Sequence, residues 1–131
     1  MRGRAGGGIV NRAWAFVAIT LAGTVAGQLV LKYAVGRHGE IPRGLAGAAG
    51  FIGRTLADPL VLLSLALAFG AALAWIAAVS RLSLSTAYPF MSLAFVGTAL
   101  FSALLLGESI SVMRWAGIGV VVAGLVLVAR G

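Results

Sequence analysis

Four stretches of roughly 20 residues, the length needed to cross a bilayer core of about 30 Å, run through this chain almost free of charge. They are Ala13–Leu31, which extends past Lys32 to Val35, then Pro59–Val79, Ala87–Leu106 and Val112–Ala129. The last carries only Arg114, near its start, where a long cationic stem can reach back to the interface. An open sheet leaves backbone groups unsatisfied in lipid, so these segments are predicted to be helices. Composition agrees: 61% of the residues are apolar and 10% charged, whereas soluble domains carry about 45–50% and about 25%. The expected fold is all-α, an integral membrane bundle of four transmembrane helices forming a single domain over residues 1–131. Cysteine is absent, which excludes disulfide scaffolds, Cys-type zinc sites and thiol catalysis.

The first segment resembles a secretory signal in having Arg2, Arg4 and Arg12 ahead of it. Its apolar run is too long for a signal core of about 7–15 residues, and Thr24, Gln28 and Lys32 fit such a core poorly. It reads as a retained span. Spans two and three are joined by Ser80–Thr86 and spans three and four by Gly107–Ser111, short enough to make antiparallel neighbours. The first connection, Gly36–Asp58, is longer. In it Leu45, Ala49, Ile52 and Leu56 recur at helical spacing, with Arg43 and Arg54 on the opposite face. An amphipathic interfacial helix and a Gly-rich flexible loop both fit this pattern.

Ten Lys and Arg stand against three acids, Glu40, Asp58 and Glu108, giving a net charge of +7. In a membrane protein this excess points to anionic headgroups or an anionic substrate, not to nucleic acid. The positive residues divide five and five between the two membrane sides: Arg2, Arg4, Arg12, Arg81 and Arg130 against Lys32, Arg37, Arg43, Arg54 and Arg114. The positive-inside rule then has nothing to act on, and insertion in both orientations is compatible with the sequence.

Helices associate in lipid through small residues. Gly23-x-x-x-Gly27 in the first span, Ala66, Gly70, Ala74 and Ala78 in the second, and Gly117, Gly119, Ala123 and Gly124 in the fourth supply such contacts. They indicate close helix contact and pairing of this small unit with another. Polar residues follow a different stripe. Thr20, Thr24, Gln28 and Lys32 step by four along the first span and share one slowly drifting face. The threonines can bond to their own backbone and Lys32 can snorkel outward. Gln28 needs a partner in hydrocarbon, and an inward Lys32 would need an anion. No acid lies in a span core, so a ligand is the expected partner. In the third span Pro89 frees a carbonyl that Tyr88 and Ser92 can share a face with; an interfacial tyrosine and a helix-start proline explain the same residues. Glu108 is expected to cap the fourth helix or pair with Arg114. His38, alone in a loop, is expected to be solvated.

Two blocks, Val25-Ala26-Gly27-Gln28-Leu29 with Lys32 and Ala34, and Ala87-Tyr88-Pro89 with Ser92-Leu93 and Phe95-Val96, resemble the small four-span subunits of the aminoarabinose-phospho-undecaprenol flippase. Glu108, Ser111, Arg114-Trp115 with Gly117, and the glycine-rich last helix do so too. These subunits belong to the small-multidrug-resistance-like branch of the drug/metabolite transporter superfamily. The resemblance implies a non-enzymatic flippase of the inner (cytoplasmic) membrane, without cofactor or metal. It would move a polyprenyl-phosphate-linked monosaccharide, or a similar anionic lipid, as a homodimer or as a heterodimer with a similar four-helix subunit. Lys32 would offset the phosphate, while Gln28, Thr24, Tyr88 and Ser92 would line a polar groove between the first and third spans. Small multidrug exporters carry a glutamate in the first helix; aligned on Lys32, this sequence has Thr24 there. A multidrug-type cation exporter thereby lacks its carboxylate. A non-transporting membrane subunit of a glycosyltransferase system is the remaining alternative.

Overall fold

The computed structural model describes residues 3–131, and Arg2 and the Arg4 side chain lie outside the described residues. In chain order the elements are α1 (Gly3–Gly36), α2 (Leu45–Leu56), α3 (Pro59–Val79), α4 (Leu84–Ala87), a 3₁₀ turn (Tyr88–Met91), α5 (Ser92–Leu105) and α6 (Val112–Arg130). No strand occurs among the described residues. Four helical segments are long and apolar enough to cross a membrane: Gly7–Gly36, Pro59–Val79, Leu84–Leu105 and Val112–Arg130. This is an integral membrane four-helix bundle. The third span is a composite of α4, the 3₁₀ turn and α5, because Pro89 cannot donate to the helical ladder.

The closest helix pair is α1 with α3, and glycine makes it so. A Cβ added at Gly23 would stand 3.1 Å from the Ala71 Cβ and 3.3 Å from the Leu67 carbonyl oxygen; one added at Gly27 would stand 3.2 Å from the Ser64 carbonyl oxygen. The backbones meet where the Gly23-x-x-x-Gly27 spacing predicts. Beside this contact the buried Thr20 hydroxyl is shared between the Phe16 carbonyl at 2.8 Å and the Ala71 carbonyl at 3.2 Å. One hydrogen bond inside the helix thereby extends across to its neighbour. Gly97 of α5 packs on Val25 of α1 with the same economy of space, a Cβ there falling 3.2 Å from a Val25 methyl.

The long first connection folds as helix α2. Its N-cap is Gly44, whose φ of 90° only glycine adopts without strain. Phe51 and Thr55 are buried, while Leu45 (90% exposed), Ile52 and Leu56 point away from the bundle. Arg54 takes a third side and Arg43 precedes the helix. An uncovered apolar face with a cation on the opposite side is what an interfacial helix presents to the headgroup boundary. His38 is exposed, as expected, but does not stand alone: its Nε2 lies 2.7 Å from Asp58 Oδ2, tying the end of α1 to the start of α3. Asp58 also caps α3, accepting the Leu60 N–H at 2.8 Å ahead of Pro59. The Leu60 amide, and then the hydrogen bond with His38, hold the Asp58 carboxyl below the usual carboxylate range against the opposing effect of burial.

The last helix is the loosest. Gly107, at φ 68°, turns the chain out of α5, and Ser111 caps α6 by accepting the Arg114 N–H at 3.4 Å. Only Ile118 and Leu125 of α6 are buried. Nothing lies within 4 Å of a Cβ added at Gly117, Gly119 or Gly124. A side chain at any of these three glycines would therefore meet open space among the described residues. Alternation of the spans gathers Glu40, Asp58 and Glu108 at the end where α1 and α5 finish, and leaves Arg12, Arg81 and Arg130 at the other.

Candidate functional site

The polar stripe of α1 opens onto a groove of about 260 Å³ in which Thr20, Thr24, Gln28 and Leu31 face Ser64 and Trp75 of α3. The opposite wall is the second span, not the third as expected; the third contributes Met91 of the 3₁₀ turn. The reason lies in the glycines. Gly23 and Gly27 bring α1 against α3, so the neighbouring polar stripe must border that same helix. Thr20 spends its hydroxyl on the two carbonyls, leaving Thr24 and the exposed Gln28 as the groove's free polar groups. Ser64 is committed as well, donating to the Val61 carbonyl at 2.6 Å.

Tyr88 and Ser92 do not line the groove. Tyr88 is exposed, its ring set edge-on to Trp75 with centroids 6.1 Å apart, so it extends the rim outward. The Ser92 hydroxyl donates to the Pro89 carbonyl at 2.7 Å and holds the turn together. Trp75, Ser64 and Met91 are groove residues that the sequence did not single out. The only signal was the one-turn spacing of Ser64, Ala68, Ala71 and Trp75 on α3.

Lys32 stands one turn beyond Gln28, outside the groove lining. Its Nζ lies 3.6 Å from Glu108 Oε1, with side-chain exposures of 68% and 43%. Two expectations are corrected here: Lys32 has a protein anion beside it, and Glu108 turns to Lys32 instead of capping α6 or pairing with Arg114. Ser111 already occupies the cap, and the tight turn at Gly107 carries Glu108 back toward α1. An open pair of this kind is worth about 0–1 kcal/mol, weak enough for a stronger anion to displace. Glu108 and Arg114 also border a second groove of about 540 Å³ between α5 and α6, together with Thr98, Ser102 and Ser109.

Taken together, the fold and site are those of a multi-pass membrane protein that exposes hydrogen-bonding groups on a face inside the bilayer. The chain belongs to the EamA-like transporter family, which matches residues 13–130, and is thus a membrane transporter of the drug/metabolite type. The resemblance carried by the Val25–Ala34 and Ala87–Val96 blocks holds. A protein of Erwinia tasmaniensis named as a probable 4-amino-4-deoxy-L-arabinose-phosphoundecaprenol flippase subunit, ArnF, is 39% identical over 109 residues, 79% of this chain and 83% of that protein. A probable subunit ArnE of the same flippase, from Hamiltonella defensa, is 32% identical over 74 residues, 55% of this chain and 67% of that protein. No solved structure matches the chain.

Proposed function

We propose that this protein is a flippase subunit of the cytoplasmic membrane that moves a polyprenyl-phosphate-linked monosaccharide, working as a dimer with itself or with a similar four-helix subunit. The observation that carries the reading is the α1–α3 groove: it offers Thr24 and Gln28 as free hydrogen-bonding groups, is lined by no carboxylate, and ends beside a loosely held lysine. The names of the two relatives support the same substrate class. The polyprenyl tail stays in lipid while the headgroup follows the groove. Gln28 and Thr24 bond the sugar, Tyr88 reaches it over the Trp75 edge, and Ser92 keeps the turn beneath Tyr88 in place. Lys32 exchanges Glu108 for the phosphate, whose charge in a low-dielectric setting requires a cation. Gly119 and Ala123, exposed on one face of α6, are the surface left for a partner subunit.

Headgroup translocation in proteoliposomes tests this. Lys32→Met keeps the apolar stem, so insertion should be unimpaired, while headgroup binding weakens by about 1.5–3 kcal/mol, as for loss of a charged hydrogen bond. Lys32→Arg should keep part of the activity, since charge persists with a different reach. Wild-type transport by a well-folded Lys32→Met protein would make Lys32 an interface anchor. A multidrug-type exporter would instead show steep dependence on a proton gradient, abolished by Glu108→Gln. A non-transporting glycosyltransferase subunit would leave the headgroup on one leaflet.

A further inference from the structure

On the far side of the α1–α3 pair from the polar groove, the geometry points to a binding site for an anionic phospholipid of the surrounding leaflet. Arg12 of α1 and Arg81, just past α3, flank a cavity of about 320 Å³ walled by Ile9, Phe16 and Ala77. Neither arginine has a carboxylate within 4 Å among the described residues. The three acids of the chain all sit at the opposite end, so none can reach this mouth. A helix C-terminus accounts for one cation, Arg81; it does not account for Arg12, which arrives from the neighbouring helix. Ser80 already donates its hydroxyl to the Ala77 carbonyl at 2.7 Å. The guanidinium groups are therefore the free donors, and two arginines lining one cavity suit a phosphate.

The wall below the arginines continues as apolar surface. Arg12, Phe16, Ile19, Gly23 and Ala26 lie on one stripe of α1, stepping by four and three residues, and Ala77, Gly70, Ala66 and Leu63 lie on one stripe of α3. The lower parts of these stripes form a groove of about 560 Å³, bordered by Ile19, Gly23, Ala26, Leu63, Ala66 and Gly70. A phosphate at the arginines would hang its acyl chain into this groove. Charge at the mouth and hydrocarbon below it distinguish a phospholipid from a free phosphate ester. Basic pockets between membrane helices bind anionic headgroups. Thr20, Thr24 and Gln28 take no part.

Mass spectrometry of the protein released from detergent, after incubation with phosphatidylglycerol or phosphatidylcholine, provides the test. Phosphatidylglycerol should be retained with a preference of roughly 10- to 30-fold over phosphatidylcholine. Arg12→Gln with Arg81→Gln should abolish that preference. Arg43→Gln with Arg54→Gln, an equal loss of charge at the other end, should keep it. Gly70→Leu, at a position with open space around its Cβ, should reduce retention by filling the tail groove. Soluble glycerol 3-phosphate should not displace the lipid. The site is overturned if the preference survives in the Arg12/Arg81 variant, if it falls equally in the Arg43/Arg54 variant, or if glycerol 3-phosphate displaces the lipid completely.

Discussion

Asp58 does three things with one carboxylate: it caps α3, receives His38, and closes the loop that contains α2. Because its pKa is lowered in the folded state, its contribution to stability is present above the ordinary aspartate value of about 3.9 and is lost as pH falls through the lower folded value. Thermal unfolding in detergent should therefore show an acid limb below about pH 4, and Asp58→Asn, which can still cap, should make that limb shallower. An unchanged limb would refute this role for Asp58. The two side-chain pairs also mark how far the sequence could be read at this scale. Thr20, Thr24 and Gln28 were legible as one stripe because helical period alone fixes their direction. His38 with Asp58 and Lys32 with Glu108 were not, since each pair joins residues brought together only by the course of a loop. Proximity in sequence favoured Arg114 for Glu108; the turn at Gly107 favoured Lys32.

Glycines at like spacing do different work in different helices. Those of α1 are filled by α3, whereas those of α6 face open space. Gly23→Leu should destabilise the chain itself by about 1–3 kcal/mol or more, since leucine meets α3 backbone with nowhere to go. Gly119→Leu should leave the stability of the isolated chain unchanged and weaken association, measured by cross-linking or single-molecule photobleaching in lipid bilayers. Equal loss of chain stability in both variants would refute the division of roles. The four spans themselves were plain in the sequence because hydrocarbon imposes length and composition on each. Which span borders the polar stripe was not, since lipid-facing and helix-facing residues in Ala- and Leu-rich segments are the same residues. Helix α2 stood between these cases: its apolar spacing was visible, and only the buried Phe51 and Thr55 decided it against a glycine-rich loop.

Across the whole molecule, acids and bases are distributed differently. By their order between the spans in the sequence, Lys and Arg divide five and five between the two sides, while all three acids share one side. Topology follows the count of Lys and Arg near the spans and takes little notice of acids. Reporter fusions at the C-terminus should accordingly find both orientations, and two lysines added beside Glu108 should draw that end to the cytoplasmic side. A single orientation in the unmodified chain would show that another signal decides insertion.

The sparse contacts of α6 bear on how such a protein is made. Segments leave the ribosome in order, so α1 and α3 can close on each other while the last helix is still being synthesised. When α6 enters the bilayer, the chain offers it little beyond the edge of α5. Lipid solvates its apolar face without penalty, so nothing forces the helix to find a mate at once. A partner subunit of the kind proposed would meet this helix by encounter after synthesis, and the abundance of neighbouring chains would then govern assembly more than the folding of any one of them.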